Sequence, residues 1–188
     1  MKKRLHIALI IVICFIIIGI FLYKQLTTII YVKEYEIGKL VSIDIDNDGK
    51  EEKIKVTTNT LSNKNTTNNS IQFMMSNLYS KKEININIDD NNYKFFTKEG
   101  EIVIALGIAD LNLDNKFELL VCVYNNSISP SYRQWNIYKY ESKNLTFIKN
   151  IYDGYITYNK SINKLKVKYN LHESAKPITE TVFYDIDF

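Results

Sequence analysis

The sequence predicts an all-β fold of short antiparallel strands. About two repeat units, propeller-blade-like or forming a compact sandwich, would lie behind one N-terminal transmembrane helix. Apolar and polar residues alternate in runs such as 84–88 and 164–169, and a period of two is typical of strands with one buried face. The chain has only 6 glycines and 2 prolines, so Asn and Asp are expected to form most turns. Two acidic loops, 44–52 and 110–118, each separate two apolar, β-rich runs.

The strands follow from these runs and from the turn signals between them. The segment 89–92 reads Asp-Asp-Asn-Asn between two apolar runs and predicts a hairpin. A polar tract at 58–70 predicts a long loop, and 72–78 is the one short helix that we expect after the anchor. The predicted strands, in chain order, are 29–37, 39–45, 53–57, 84–88, 93–96, 101–109, 117–124, 132–140, 145–152, 164–169 and 178–186.

The amino-terminal segment predicts attachment to a membrane. Residues 7–23 form an unbroken apolar stretch that is about 25 Å long as an α-helix, slightly shorter than a hydrocarbon core of about 30 Å. The residues at its end lack the small side chains of a cleavage site, so an uncleaved anchor is favoured over a removed signal peptide. Lys2, Lys3 and Arg4 precede the stretch and place the N-terminus in the cytoplasm. The predicted parts are a basic cytoplasmic tail at 1–6, a single-pass transmembrane signal-anchor at 7–23, a stalk at 24–36 and an extracellular β domain at 37–188.

The charge of the chain argues against a nucleic-acid partner. Its net charge is +3, from 24 basic and 21 acidic residues. Four of the basic residues flank the apolar stretch and no acidic residue does, so the outer part carries 20 basic against 21 acidic residues and has a net charge of −1. Because the excess positive charge belongs to the membrane topology, we expect no nucleic acid to bind.

Cysteine content indicates the class of protein. The outer part contains one cysteine, Cys122, so no disulfide can form within it. Cys122 lies in an apolar run and is expected to be a buried, unreactive thiol. An extracellular domain without disulfides fits a bacterial surface protein better than a small eukaryotic secreted module.

The two acidic loops lie 66 positions apart and share one pattern. Both carry oxygen-bearing side chains at positions one, three, five and nine, with Gly49 or Asn115 at position six, where the chain must turn sharply. Side chains at alternate positions of a tight loop can point to one centre, and Ca²⁺ takes six to eight oxygen ligands. We therefore predict Ca²⁺ at loop 44–52, with loop 110–118 as a second candidate. The candidate ligands are Asp44, Asp46, Asp48 and Glu52 in the first loop, and Asp110, Asn112, Asp114 and Glu118 in the second.

The loops allow two other interpretations. An EF-hand needs a Glu at position twelve, but Lys55 and Val121 stand there, which excludes it. A plain hairpin with solvated acids remains open, because Asn47-Asp48-Gly49 is by itself a strong signal for a type I′ turn.

The phrases Ile43-Asp-Ile-Asp-Asn-Asp-Gly-Lys-Glu-Glu-Lys-Ile and Ala109-Asp-Leu-Asn-Leu-Asp-Asn-Lys-Phe-Glu-Leu-Leu-Val resemble the FG-GAP/VCBS repeats of integrin-type β-propellers and of many bacterial surface proteins. The resemblance covers the two loops and their flanking strands, and more weakly residues 132–148. It implies that positions one, three, five and nine ligate calcium. The chain departs from the family by Glu at position nine, where Asp is more usual, and by Asn115 in place of Gly. A propeller ring usually needs at least four blades, so the resemblance implies a short fragment, a sandwich-like domain, or a half that pairs with another copy.

Residues outside the loops carry weaker signals. His172 is the only histidine of the outer part and is expected to be structural or solvated rather than a catalytic base. Asp185 and Asp187 could begin a third loop. An aromatic-rich zone follows the second loop, and its side chains are expected in the core, with sugar or peptide stacking as the alternative. These aromatic residues are Tyr132, Trp135, Tyr138, Tyr140, Tyr152, Tyr155 and Tyr158.

Together these observations predict a membrane-anchored extracellular binding module with calcium-stabilised loops. Its partner would be a cell-envelope polymer, a glycan or a protein. The alternatives are a surface hydrolase or an accessory subunit of one, and a purely structural domain that the ions make rigid.

Overall fold

The computed structural model describes residues 12–20, 27–60, 80–125, 132–172 and 177–185. Residues 12–20, within the predicted anchor at 7–23, are helical. Among the described residues, no helix combines the length and the apolar character that a membrane span requires. The predicted tail at 1–6, the rest of the anchor, the predicted helix at 72–78 and Asp187 lie outside the described residues.

The described part of the chain after the helix is all-β, as predicted. Its strands are β1 (Thr27–Ile30), β2 (Lys33–Tyr35), β3 (Leu40–Ile43), β4 (Glu52–Thr60), β5 (Lys82–Ile88), β6 (Asn91–Phe96), β7 (Glu101–Ala109), β8 (Glu118–Asn125), β9 (Tyr132–Glu141), β10 (Asn144–Tyr152), β11 (Tyr155–Asn159), β12 (Lys164–His172) and β13 (Pro177–Asp185).

These strands form three open antiparallel sheets. Sheet I has the order β3-β4-β5-β6, sheet II the order β10-β9-β8-β7-β2, and sheet III the order β1-β11-β12-β13. Sheet I (β3 to β6) and strands β7 to β10 of sheet II are therefore two successive four-stranded meanders. In both meanders an acidic loop joins the first strand to the second, so the repeat in the sequence is also a repeat in the topology.

Sheet II lies between the other two sheets and is buried on both faces. Neighbouring side chains of a strand point to opposite faces, and β8 shows this clearly. Leu119 and Val121 pack in a core with sheet I, whereas Leu120 and Cys122 pack in a core with sheet III. This double burial explains why β8 is an apolar run without alternation. The buried position of Cys122 confirms the prediction of an enclosed thiol, and burial raises its pKa to about 11.

The segment 24–36, predicted to be a stalk, contributes two strands to the domain. Strand β1 pairs with β11, with Ile30 opposite Ile156, and β2 pairs with β7, with Tyr35 opposite Leu106. Ile30 is buried in the core between sheets II and III. The described strands thus begin at residue 27, within the segment predicted as a stalk that leads into a strand at 29–37. Such short strands are stabilised by pairing with distant residues, which the local pattern does not show.

The aromatic zone after the second loop supplies much of the core, which confirms the structural interpretation of most of its members. Trp135 and Tyr158 lie in the core shared with sheet III, and Tyr138 and Tyr140 in the core shared with sheet I. Tyr155 is exposed. Strand β12 is internal to sheet III, so its alternating lysines lie on a solvent-facing side rather than at a sheet edge.

Candidate metal centre

Loop one (residues 44–52) is shaped by its own carboxylates. The Oδ1 and Oδ2 atoms of Asp44 accept hydrogen bonds from the backbone N–H groups of Asp48 and Gly49, at 3.0 and 2.9 Å. Asp48 Oδ1 accepts from the N–H of Lys50 at 2.8 Å. The chain takes positive φ at Asn47 (60°) and at Gly49 (89°), a conformation that Asn and Gly tolerate better than other residues. The side chain at position one therefore organises the whole turn.

Loop two (residues 110–118) repeats this arrangement bond for bond. Asp110 Oδ1 and Oδ2 accept from the N–H groups of Asp114 and Asn115, at 3.1 and 2.9 Å. Asp114 Oδ1 accepts from the N–H of Lys116 at 2.8 Å. Positive φ values recur at Leu113 (61°) and Asn115 (68°), the positions equivalent to Asn47 and Gly49. Asn115 thus takes the conformation that glycine has in loop one, and the two loops share one backbone geometry.

The glutamate at position nine of each loop accepts a hydrogen bond from the backbone N–H at position two and so stabilises the base of the loop. Glu52 Oε2 accepts from the backbone N–H of Ile45, and Glu118 Oε2 from that of Leu111, both at 2.9 Å. Both side chains are buried. Burial is the main cause that raises the pKa of both, in Glu118 to about 7, although the backbone hydrogen bond opposes the shift. Nearby loop aspartates raise both values further. One oxygen of each glutamate is therefore committed to the backbone.

The acids of loop one gather around a common point. Asp44, Asp46 and Asp48 each offer a carboxylate oxygen, and these three oxygens lie within 4.8 Å of one another. Asp46 Oδ1 is buried and has no hydrogen-bond partner among the residues that the structure describes. A buried carboxylate oxygen without a donor is costly, and three carboxylates at this spacing repel one another. The residues therefore fit a hard cation such as Ca²⁺ or Mg²⁺, which binds oxygen ligands. Glu52 lies outside this group of three.

Loop two differs at position three, where Asn112 replaces an aspartate. Its Nδ2 donates to Asp114 Oδ2 at 3.0 Å, and its Oδ1 accepts from the backbone N–H of Asp114 at 3.2 Å. The amide thus provides Asp114 with a side-chain donor, whereas the residue at position three of loop one, Asp46, is a carboxylate and provides none. Loop two can satisfy its charges internally, and loop one cannot do so to the same extent.

A second candidate site was not foreseen from the sequence. A cavity of about 430 Å³ lies where β6 of sheet I meets β7, β9 and β10 of sheet II. Its residues are spread from position 95 to position 150, so no local motif marks it. The lining includes Phe95, Phe96, Glu101, Asn136, Tyr138 and Phe147.

The other residue considered for chemistry is His172, which lies on β12 of sheet III. The acidic loops belong instead to the meanders of sheets I and II. Asp185, which could have begun a third loop, is the last residue of β13 and its Oδ1 lies 2.8 Å from Lys164 Nζ.

Comparisons of the chain with models of protein families, with curated proteins and with solved structures return no match. The likeness to FG-GAP/VCBS repeats therefore rests on the two loops and their neighbouring strands, and it stays a prediction.

Proposed function

We propose that this protein is an extracellular binding module, attached to a membrane by its apolar segment 7–23 and stabilised by calcium in loop one. The observation that carries the proposal is the buried Asp46 Oδ1, which lies beside two further aspartates and has no donor within the described part of the chain. Loop one carries four acidic ligand candidates, close to −4 before an ion binds. A divalent cation would offset this charge and supply the partner that Asp46 lacks.

Calcium is favoured over magnesium by the nature of the loop. Asp44 and Asp48 are held on a short turn by backbone hydrogen bonds, and Ca²⁺ accepts such irregular, carboxylate-rich sites more readily than Mg²⁺, which needs near-octahedral ligands at shorter distances. Extracellular modules bind calcium with a Kd of about 10⁻⁴–10⁻³ M. A site of this affinity suits a domain outside the cell.

A thermal melt of residues 25–188 tests the metal site, because every strand described here lies within 27–185. A ligand present at about 100 times its Kd stabilises the folded state by about 2.7 kcal/mol. For a domain of this size, that raises Tm by about 5–10 °C. We expect this increase with calcium, a smaller one with magnesium, and its loss on chelation.

Variants assign the effect to loop one. The pair Asp46→Asn with Asp48→Asn should abolish the calcium-dependent rise in Tm. Asp90→Asn serves as the matched control, because Asp90 is an exposed acid in the hairpin turn between β5 and β6. A Tm that calcium does not change, or a rise that survives in the double variant, would reject the metal site.

The membrane attachment is tested separately from the metal. The full chain should sediment with membranes and resist extraction at high pH, whereas residues 25–188 should remain in the supernatant. Protease added outside intact cells should digest the β domain. A full chain that is recovered in the soluble fraction would remove the anchor from the proposal and leave the metal site untouched.

A further inference from the structure

The cavity between sheets I and II has an aromatic wall. Its buried centre is Tyr138, whose ring centroid lies 4.4 Å from that of Phe95 and 5.6 Å from that of Phe147. Towards the solvent the wall ends in Phe147, whose side chain is 45% exposed. Phe96 follows Phe95 on β6, so its ring points to the opposite face of sheet I. The inner rings are fixed by packing, and the phenyl group of Phe147 remains available at the entrance. Such a wall offers apolar faces to a ligand that enters from solvent.

Polar groups line the other part of the cavity. Glu101 is only 3% exposed, and Asn136 is also buried. Asn150 is half-buried and contributes to the same lining. Glu101 Oε2 accepts a hydrogen bond from the backbone N–H of Lys98 at 2.9 Å, which holds the carboxylate in place. The cavity thus combines apolar rings with a few fixed polar groups, the usual composition of a small-molecule site.

A β-bulge brings these two groups onto one face. Along β9 and β10, Tyr138 pairs with Phe147 and Asn136 pairs with Asn150, and the register shifts between Phe147 and Lys149. In a regular strand, residues 147 and 150 would point to opposite faces. The extra residue of the bulge places Asn150 on the same face as Phe147, so an amide row lies next to an aromatic row. Bulges are enriched near functional sites, where they re-aim a side chain.

The chemistry of the lining indicates a neutral, hydroxylated ligand. The two charged residues at the cavity, Lys98 and Glu101, are of opposite sign, so the lining favours neither an anion nor a cation. Amide and carboxylate groups pair with hydroxyls, which both donate and accept hydrogen bonds. The C–H face of a pyranose ring is apolar and suits the exposed phenyl ring of Phe147, whose face carries partial negative charge. A sugar unit has both properties at once.

We infer that this cavity binds one neutral sugar unit, stacked on Phe147 and hydrogen-bonded to Glu101, Asn136 and Asn150. The inference rests on the proposed function of a binding module and names the class of ligand that the module takes. The sugar site is distinct from the metal site of loop one, because none of the loop aspartates lines the cavity.

Saturation-transfer-difference NMR on the full chain tests the sugar site. The chain is kept in a polyoxyethylene detergent, because glycoside detergents would compete for the cavity. The probes are the methyl glycosides of glucose, galactose, mannose and N-acetylglucosamine, and the β-1,4-linked trimer of N-acetylglucosamine. We expect at least one probe to receive saturation, strongest at the C–H protons of one ring face.

Substitutions in the lining test whether the sugar binds in the cavity. Loss of the stacked ring weakens binding about fivefold, so Phe147→Ala should reduce the saturation transfer, and Asn150→Ala should do the same through its amide. These side chains are exposed or half-buried, and circular dichroism checks that the variants fold. Phe183→Ala is the matched control, because Phe183 is equally exposed but lies on β13 of sheet III. Its saturation transfer should equal that of the wild type.

Each other outcome overturns the sugar site in a defined way. Saturation of no probe, or saturation that the cavity variants leave unchanged, rejects it. An N-acetylated phenylalanine amide that binds in place of every sugar would make the cavity a peptide site instead. The calcium melt of the same samples separates the two proposals, since a normal calcium response without sugar binding leaves the metal site standing.

Discussion

The backbone N–H of Phe117 donates a 2.8 Å hydrogen bond to the carbonyl oxygen of Ile45. Ile45 stands at position two of loop one, where Glu52 holds its N–H, and Phe117 stands at position eight of loop two. Both backbone polar groups of Ile45 are therefore bonded, its N–H to the glutamate of its own loop and its carbonyl oxygen to the other loop. The two acidic loops form a connected unit across sheets I and II.

This connection predicts that an ion in loop one also protects loop two. Calcium should slow hydrogen exchange of the Phe117 amide by about tenfold or more. Exchange requires the hydrogen bond from Phe117 to Ile45 to open, and calcium stabilises the loop that contains Ile45. The amide of Asp153, which bonds the carbonyl of Arg133 at 3.0 Å in the turn after β10, is the control and should slow less. Equal slowing of both amides would mean that calcium acts only on global unfolding.

Loop two should gain an ion when its internal donor is removed. Asn112→Asp removes the hydrogen bond that the Asn112 amide donates to Asp114. It also adds a third carboxylate, as in loop one. We expect equilibrium dialysis to give one calcium ion for the wild type and two for this variant. In chelator the variant should be less stable by about 1–3 kcal/mol, because carboxylates then repel one another without a donor.

The control for this change is Asn112→Ala, which removes the donor without adding a ligand. It should keep a stoichiometry of one. Two ions on the wild-type chain would show that the amide of Asn112 turns its oxygen towards a cation, and a single ion on Asn112→Asp would show that the geometry of loop two does not suit calcium.

The buried Glu118 predicts a pH-dependent stability. Its folded-state pKa of about 7 lies above the ordinary value of 4.5, so the folded state prefers the protonated form. The stability that this group provides is complete below about pH 4.5 and is lost as the pH rises through 7. The difference corresponds to a few kcal/mol. Glu118→Gln keeps an acceptor for the N–H of Leu111 and should remove this part of the pH dependence.

Urea denaturation between pH 4.5 and 8, in chelator, measures the effect as the difference between wild type and variant. Glu99→Gln is the control, because Glu99 is an exposed acid outside the loops, and its curve should run parallel to that of the wild type. If Glu118→Gln also runs parallel, the carboxyl group ionises in the folded state at an ordinary pH.

The sequence predicted the local features well because their causes are local. Strand β7 has the bounds that the apolar run 101–109 indicated, and the shared turn of the two loops follows from side chains that bond backbone groups within five residues. Strand β11 was missed because its five residues show no clear period. It lies between β12, which follows it in the chain, and β1, which is more than 120 residues earlier.

The distribution of strands among sheets could not be predicted for the same reason. The pairing partners of β1 and β2 lie in different sheets, although only two residues separate these strands. The cavity likewise requires the bulge between Phe147 and Lys149 to bring Asn150 beside Asn136. Neither a pairing partner nor a bulge is set by the residues next to it.

Two adjacent isoleucines test whether β1 belongs to the folded domain or to a stalk. Ile30 is 7% exposed and packs in the core with Trp135, whereas Ile29 is 40% exposed. Ile30→Ala should lower the free energy of unfolding by about 2–5 kcal/mol, because it leaves a cavity in that core. Ile29→Ala removes the same atoms from the same strand and should change it by no more than about 0.5 kcal/mol. Urea denaturation of residues 25–188, followed by the fluorescence of Trp135, measures both. If both variants are as stable as the wild type, this segment is a stalk, because a strand outside the core would lose no stability by either change.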